Sequence, residues 1–287
     1  MIAAGGCVIP VRRQSQVFRL YTIGDCHIGN RGCSMERLRE DIEAVRADPD
    51  ARAILMGDLA DYIGPTDRRW DAASIPTDYR VKDLADWGAF LMKLVVKEFS
   101  PIKGKIIGAL SGNHEATFQA QQAAQLHAAT CNALGVPDLG YCCFLDLIFR
   151  KALRLPINEK SHGRRYRIYA HHGAGAAQSP GGKTNRLVGF MMLAEADIYL
   201  IGHVHEKDVK RIDTLAANDS CTAITTGRKR LGVFTGSYLR TYSEGAAGYA
   251  ERAGYKPVPL GCSVVEFHPF GHDWKHRPES VSARVAI

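Results

Sequence analysis

The chain has 287 residues, 46% of them hydrophobic, and a formal net charge of +7. That is enough apolar material for a full core in one large domain or two small ones, and the positive balance is compatible with a polyanionic partner without requiring one. No stretch approaches the length of a membrane-spanning helix, and Met1 to Pro10 lacks the basic start and long apolar centre of a secretory signal, so neither a spanning segment nor a cleaved leader is expected.

In chain order, the first apolar run of strand length is Val17 to Ile23, ending just before Asp25-Cys26-His27. Ser34 stands as N-cap of a helix that runs to about Ala47, ahead of Pro49, with Glu36 near the positive end of its dipole. A second strand, Ala51 to Met56, precedes Gly57-Asp58. Ile63 to Tyr79, with Pro65, Trp70 and Pro76, is an insertion, either a substrate-facing lid or a solvated loop with Trp70 tucked against the body. Asp83 to Phe99 has helical spacing and stops before Pro101. Lys105 to Leu110 is a strand ahead of Gly112-Asn113-His114-Glu115, and Gln119 to Leu134 a helix stopped by Gly135. Tyr166 to Ala170 precedes His171-His172, a short helix is expected over Leu187 to Ala196, and Ile198 to Ile201 precedes Gly202-His203-Val204-His205. After His205 come four strand-like pieces, Asp208 to Leu215, Thr222 to Thr226, Gly232 to Leu239 and Val258 to Pro269, which suggest a second sheet packed on the first.

The order is that of an α/β protein, and five strands deliver polar side chains at their carboxyl ends. In open α/β sheets that edge is where ligands bind, and a cluster of His, Asp and Asn there is hard to explain as packing. The motif segments run from Asp25 to His205 without a linker-like break, so 1–287 is read as one domain, with a core of about 17–205 and C-terminal strands over about 206–270 completing the second sheet. The eight cysteines form no C-x-x-C pair, which reads as reduced thiols in a cytoplasmic setting. Cys26 points away from Asp25 and His27 by extended-chain alternation and is expected to be a buried thiol.

The inventory of carboxylate, amide oxygen and imidazole is what a pair of divalent cations needs to activate water against an anionic phosphoester. In their order, Asp-x-His, Gly-Asp, Gly-Asn-His-Glu, His and Gly-His-x-His, the segments resemble the calcineurin-like metallophosphoesterase family over about Phe18 to His205. That resemblance implies a four-layer α/β/β/α sandwich of two packed mixed sheets, with a binuclear site at the strand carboxyl ends. It implies that Asp25, His27 and His205 hold one metal, that Asn113, His171 and His203 hold the other, and that Asp58 bridges them. His114 would contact the phosphate and protonate the leaving oxygen, and the nucleophile would be a metal-bridging hydroxide. His171 is favoured over His172 as ligand because it follows the last apolar residue, Ala170; His172 would then line the pocket or orient a ligand. Glu115 would likewise orient a ligating histidine. Two divalent ions are expected, Mn first, with Fe, Zn, Ni or Mg as alternatives.

The glycine-rich stretch Gly173 to Thr184 has Ala177 where a nucleotide-triphosphate loop needs glycine, and reads instead either as a flexible loop whose Lys183 or Arg186 touches substrate phosphate or as a plain glycine-rich connection. Basic clusters at Arg150, Lys151 and Arg154, at Arg164, Arg165 and Arg167, and at Arg228, Lys229 and Arg230 would guide a nucleic-acid backbone if they shared a face. The remaining histidines, His127, His162, His268, His272 and His276, are expected at the surface or satisfied in the core. The leading reading is a phosphodiesterase acting on a nucleotide or nucleic-acid diester, with no membrane partner. Alternatives are a DNA or RNA nuclease of the repair branch, a phosphomonoesterase including protein phosphatase, and a non-catalytic scaffold, the last disfavoured by the intact ligand set.

Overall fold

The computed structural model describes residues 3–13, 15–122, 124–151, 163–175, 179–227, 229–242, 251, 254, 256–269 and 281–285. Among them the chain runs through β1 (Ala3–Val11), β2 (Phe18–Ile23), α1 (Met35–Ala47), β3 (Ala51–Leu55), α2 (Val81–Leu84), α3 (Trp87–Phe99), β4 (Ile106–Ala109), α4 (Asn113–Gln122) and α5 (Leu126–Leu134). It continues with β5 (Cys142–Lys151), β6 (Gly163–His171), α6 (Pro180–Leu193), β7 (Ile198–Ile201), β8 (Val209–Ile212), β9 (Leu215–Ala217), β10 (Ile224–Thr226), β11 (Arg230–Phe234), β12 (Gly236–Ser237), β13 (Gly261–Phe267) and β14 (Val281–Val285).

Two mixed sheets carry the fold. The first has the order β12-β13-β2-β3-β4, with β14 also on β13; β2, β3 and β4 are parallel and β13 runs against β2. The second has the order β1-β5-β6-β7-β11-β8, with β6, β7 and β11 parallel. β9 and β10 form a separate antiparallel ribbon.

Apolar alternation packs the sheets on each other. Leu20, Ile54, Val265 and Phe267 of the first meet Leu145, Leu147, Phe149, Ile168, Leu200 and Val233 of the second in one buried cluster. Its aromatic end joins Phe149 to Phe18 at 5.4 Å and to Phe267 at 5.5 Å between ring centres. On its other face the first sheet is covered by α1, α3 and α5, which bring Leu38, Val45, Leu91, Val95 and Leu134 against Ala53 and Leu55. On the second, Leu187 and Met191 of α6 cover Tyr169, Tyr199, Ile201 and Phe234. Side chains of β6 therefore alternate between two environments, Ile168 and Ala170 toward the inter-sheet core and Tyr169 toward α6.

Several elements differ from the sequence expectation. β1 and β5 were not expected; they pair parallel over their whole length, and β5 alternates buried and half-buried residues along most of it. The helix expected over 83–99 is divided, because the Asp86 carboxylate accepts from the Ala89 amide and starts α3 there. The helix expected over 119–134 is likewise two, α4 beginning at Asn113 itself. Ser34 precedes α1 but makes no side-chain cap; its hydroxyl accepts from Arg240 instead. α6 starts at Pro180 rather than Leu187, with the Ser179 hydroxyl accepting from the Gly182 amide. The C-terminal strands are shared out: β8 and β11 complete the second sheet, β12, β13 and β14 extend the first, and β9 and β10 pair with each other.

The inter-sheet aromatic end gives a stability test. Phe149→Ala should cost about 3–5 kcal/mol in urea-induced unfolding, as for other buried Phe truncations; a loss below about 1 kcal/mol would mean that the sheets are not joined through this cluster.

Candidate metal centre

β2, β3 and β4 on one sheet, and β6 and β7 on the other, end at a common seam. The turns beyond them interlock through the backbone: Asp25 N donates to Gly57 O, His27 N to Asp58 O, and Thr235 N to Ile201 O. Six non-glycine residues among those described have positive φ, and five of them are Asp25 (48°), His27 (51°), Asp58 (47°), His203 (69°) and His205 (50°). A side-chain-bearing residue in the left-handed region costs on the order of 1–3 kcal/mol, so five at one seam point to a requirement on where those side chains must be.

Glycines make the approach possible. A Cβ on Gly57 would come within 2.6 Å of the Gly112 nitrogen and 2.7 Å of His172 Nδ1, and one on Gly112 would overlap the Asp58 carboxylate. Gly202 packs against the His172 carbonyl and Asp25.

Three groups of ligand atoms converge there: Asp25, His27 and His205; Asp58, His172 and His203; and His27, Asp58 and His114. His27 Nε2 and His205 Nε2 are 3.2 Å apart, and His205 Nε2 is 3.4 Å from Asp25 Oδ1, a buried oxygen with no hydrogen-bond donor. Asp25 Oδ2 accepts from the His203 amide at 2.9 Å. In the second group His172 Nε2 lies 3.1 Å from Asn113 Oδ1 and 3.3 Å from Asp58 Oδ2. Its Nδ1 donates to the Met56 carbonyl at 2.8 Å, which turns Nε2 toward the seam.

The electrostatics follow from burial. Burial opposes charge on Asp58, yet His172, His114 and His27 around it hold its carboxyl well below the usual range. Burial also disfavours a charged His172, but the Asp58 carboxylate outweighs it and raises the imidazole to about 10. For His114, Asp58 and Asp61 likewise overcome burial and raise it to about 9. His27 moves the other way: burial, reinforced by His114 and His205, keeps it neutral.

Two residues of the site carry no motif signal strong enough to single them out in sequence. Asp61, buried, places Oδ1 3.0 Å from His114 Nδ1 and 3.5 Å from His27 Nδ1, and its other oxygen accepts from Asn30 Nδ2. It thereby sets which ring nitrogen each histidine turns to the seam. Arg69 is held by paired bonds to Asp67, which raise its pKa, and Asp61 and Asp58 are near enough to add to that shift. The 64–80 loop that carries it is tied on one side through the Arg31 amide to Ser74 O, and on the other through Gln122 to Thr66. Trp70 packs edge-on against Trp87 of α3, 6.4 Å between ring centres.

Asp25, His27, Asp58, Asn113, His114, His203 and His205 are thus brought together, and Cys26 is buried in the helix-side core. His171 is not. It shares the face of Tyr169, stacks on Phe190 of α6 at 4.7 Å, and uses Nδ1 to accept from the Gly173 amide. His172 shares the parity of Ile168 and Ala170, which faces the seam, and takes the place given to His171. Glu115 makes its hydrogen bonds to backbone amides and not to a described histidine. Its buried carboxylate accepts from the amides of Asp58, Leu59 and Gly112, fixing the two turns against each other, and burial beside Asp58 pushes it up to about 7.

Lys183 is paired with Glu206 at 2.7 Å, and the Arg186 guanidinium packs against Gly175. The basic residues Arg150, Arg164, Arg165 and Arg230 lie at the opposite end of the second sheet from the seam. Arg165 is roughly 20 Å from His171 along β6 at about 3.3 Å per residue, and it sits with Arg167 beside Asp146. Arg154, Arg228, His162, His272 and His276 fall outside the described residues.

Set against known proteins, the chain matches no family model and no curated protein.

The parity argument can be tested directly. His172→Ala should lower the affinity for Mn at least tenfold in calorimetric titration, whereas His171→Ala should leave it within about threefold. The reverse order would return the ligand role to His171.

Proposed function

We propose that this chain is a metal-dependent phosphoester hydrolase with two cations at the seam, acting on a small phosphodiester such as a nucleotide. The observation that carries this reading is the convergence of Asp25, His27, Asp58, His203 and His205, all in left-handed backbone, around buried and under-satisfied ligand atoms.

The residues fit such a pair. Asp25, His27 and His205 would hold one cation, and Asn113, His172 and His203 the other, with Asp58 common to both. The orphaned Asp25 Oδ1 and the facing nitrogens of His27 and His205 are what a cation between them would satisfy. A mixed nitrogen and oxygen set favours Mn, Fe or Zn over Mg. Bound there, divalent cations would supply charge neutralisation of the phosphoester oxygens and a lowered water pKa.

The chain's own groups provide the rest. His114, with Nδ1 set by Asp61 and its charge favoured by Asp58, can hold a proton on Nε2 and give it to the leaving oxygen. Asp61 keeps that ring in one orientation and stabilises it once charged. Glu115 holds the Asp58 turn and would thereby fix the carboxylate that both cations need. Arg69, fixed by Asp67 on an anchored loop, would pair with a non-bridging phosphate oxygen.

The helices on the outer face of each sheet support the four-layer sandwich, and a seam built from both sheets supports reading the chain as one catalytic unit. Eight cysteines without a disulfide favour a reducing compartment. No described helix is long and apolar enough to cross a membrane. A polynucleotide groove gains no support, because the basic clusters stand at the other end of the sheet.

Removal of metal by chelation should abolish hydrolysis of an aryl phosphodiester, and Mn should restore it better than Mg. Full turnover by a metal-free sample would contradict the proposal. Arg69→Ala should raise KM for that diester about tenfold with metal content unchanged, the loss expected for one charge-assisted phosphate contact; an unchanged KM would remove Arg69 from the substrate site.

A further inference from the structure

A fourth group of ligand atoms lies apart from the seam. His127 and Cys131 are one helical turn apart on α5 and so share a face, and Asp138 reaches the same point from the turn that follows the helix. His127 Nε2 is 3.0 Å from Asp138 Oδ1 and 3.6 Å from Cys131 Sγ, and the three ligand atoms lie within 4.8 Å of one another. Around a tetrahedral zinc ion, with bonds of about 2.0 Å to nitrogen and oxygen and about 2.3 Å to sulfur, the nitrogen–oxygen edge would be roughly 3.3 Å and the nitrogen–sulfur edge roughly 3.6 Å. The two edges from His127 Nε2 already stand at nearly that spacing, and the third lies within 4.8 Å. His127 and Cys131 are buried, which excludes competing water from two ligands, while Asp138 is exposed and leaves a side open for a water as fourth ligand.

The place in the fold gives the site a task. Asp138 is held by the Gly140 amide, and its segment is laced to β4 and the turn beyond by bonds from Ala109 to Pro137, from Leu139 to Ala109 and from Ser111 to Gly140. Ser111 leads directly into Gly112 and Asn113. A cation here would clamp α5 to the support of that turn.

We propose that His127, Cys131 and Asp138 form a second, mononuclear site for a zinc-class cation, structural in role and separate from the seam. His127 is then more than the surface or core histidine the sequence suggests. A thiolate, an imidazole and a carboxylate select zinc or cobalt over the magnesium and calcium that prefer oxygen alone. On binding, the Cys131 thiol gives its proton to solvent, and the His127 proton resides on Nδ1 so that Nε2 can ligate. This site does not depend on what the seam hydrolyses.

Sulfur distinguishes the two centres, since no thiol belongs to the ligand groups of the seam. The full-length protein, stripped of metal and titrated with Co to saturation, should develop a thiolate-to-cobalt charge-transfer band in the near ultraviolet whose final amplitude corresponds to about one thiolate-bound cobalt per chain, whatever further Co the seam takes up. Zn should displace it. Cys131→Ser should lose the band, His127→Gln should weaken the cobalt affinity it reports at least tenfold, and Asp58→Asn should leave it unchanged, each variant first shown by circular dichroism to be folded. Absence of the band in the folded wild type at saturating Co would overturn the proposal and leave His127 and Asp138 as a plain hydrogen bond beside a core thiol. A band that persists in Cys131→Ser, or in a folded His127→Gln at unchanged affinity, would overturn it equally.

Discussion

Asp25, Asp58 and Asp61 are buried together at the seam of two sheets, within 4 Å of His27, His114, His172 and His205. Taking one carboxylate out of water without a partner costs several kcal/mol, and three in one place repel one another besides. Imidazoles can offset this only by becoming charged, yet burial and mutual repulsion hold His27 and His171 neutral while His172 and His114 are driven to charge by Asp58. Much of the local architecture can be understood as holding this arrangement against its own electrostatics. The left-handed backbone aims the side chains inward. Gly57, Gly112 and Gly202 let the turns touch, and Glu115 spends both carboxylate oxygens on their amides.

The seam exists only because two sheets meet there. Asp25, His27, Asp58 and Asn113 come from turns beyond β2, β3 and β4, and His172, His203 and His205 from those beyond β6 and β7. The apolar cluster between the sheets therefore sets the distance across which the two halves face, and its close packing transmits any shift to the ligands. Arg165 and Arg230 start strands whose other ends reach the seam, so their charges stand away from it.

In sequence, the strands that end at the seam are legible because each is a short apolar run closed by Gly, Asp, Asn or His. Face is harder to read. His171 and His172 follow the same strand, and the choice between them depends on knowing that Ile168 and Ala170 look into the inter-sheet core while Tyr169 looks at α6, a fact of packing and not of composition. Asp61 escapes notice because one carboxylate three residues beyond another has no distinctive pattern until both histidines are placed on it. α6 is obscured by Gly181, Gly182 and Gly189, poor helix formers whose cost is offset by the Ser179 cap and by Leu187 and Met191 against the sheet. β1 escapes because its glycines and lone proline depress strand propensity, which pairing along all of β5 overrides.

Whether the seam takes up two cations that share Asp58 can be read by anomalous diffraction at the manganese edge from crystals grown with Mn. Two peaks about 3.5–4 Å apart are expected, one among Asp25, His27 and His205 and the other among Asn113, His172 and His203, with Asp58 between them. No peak at the seam, or a single peak that leaves Asp58 without a metal contact, would contradict the proposal.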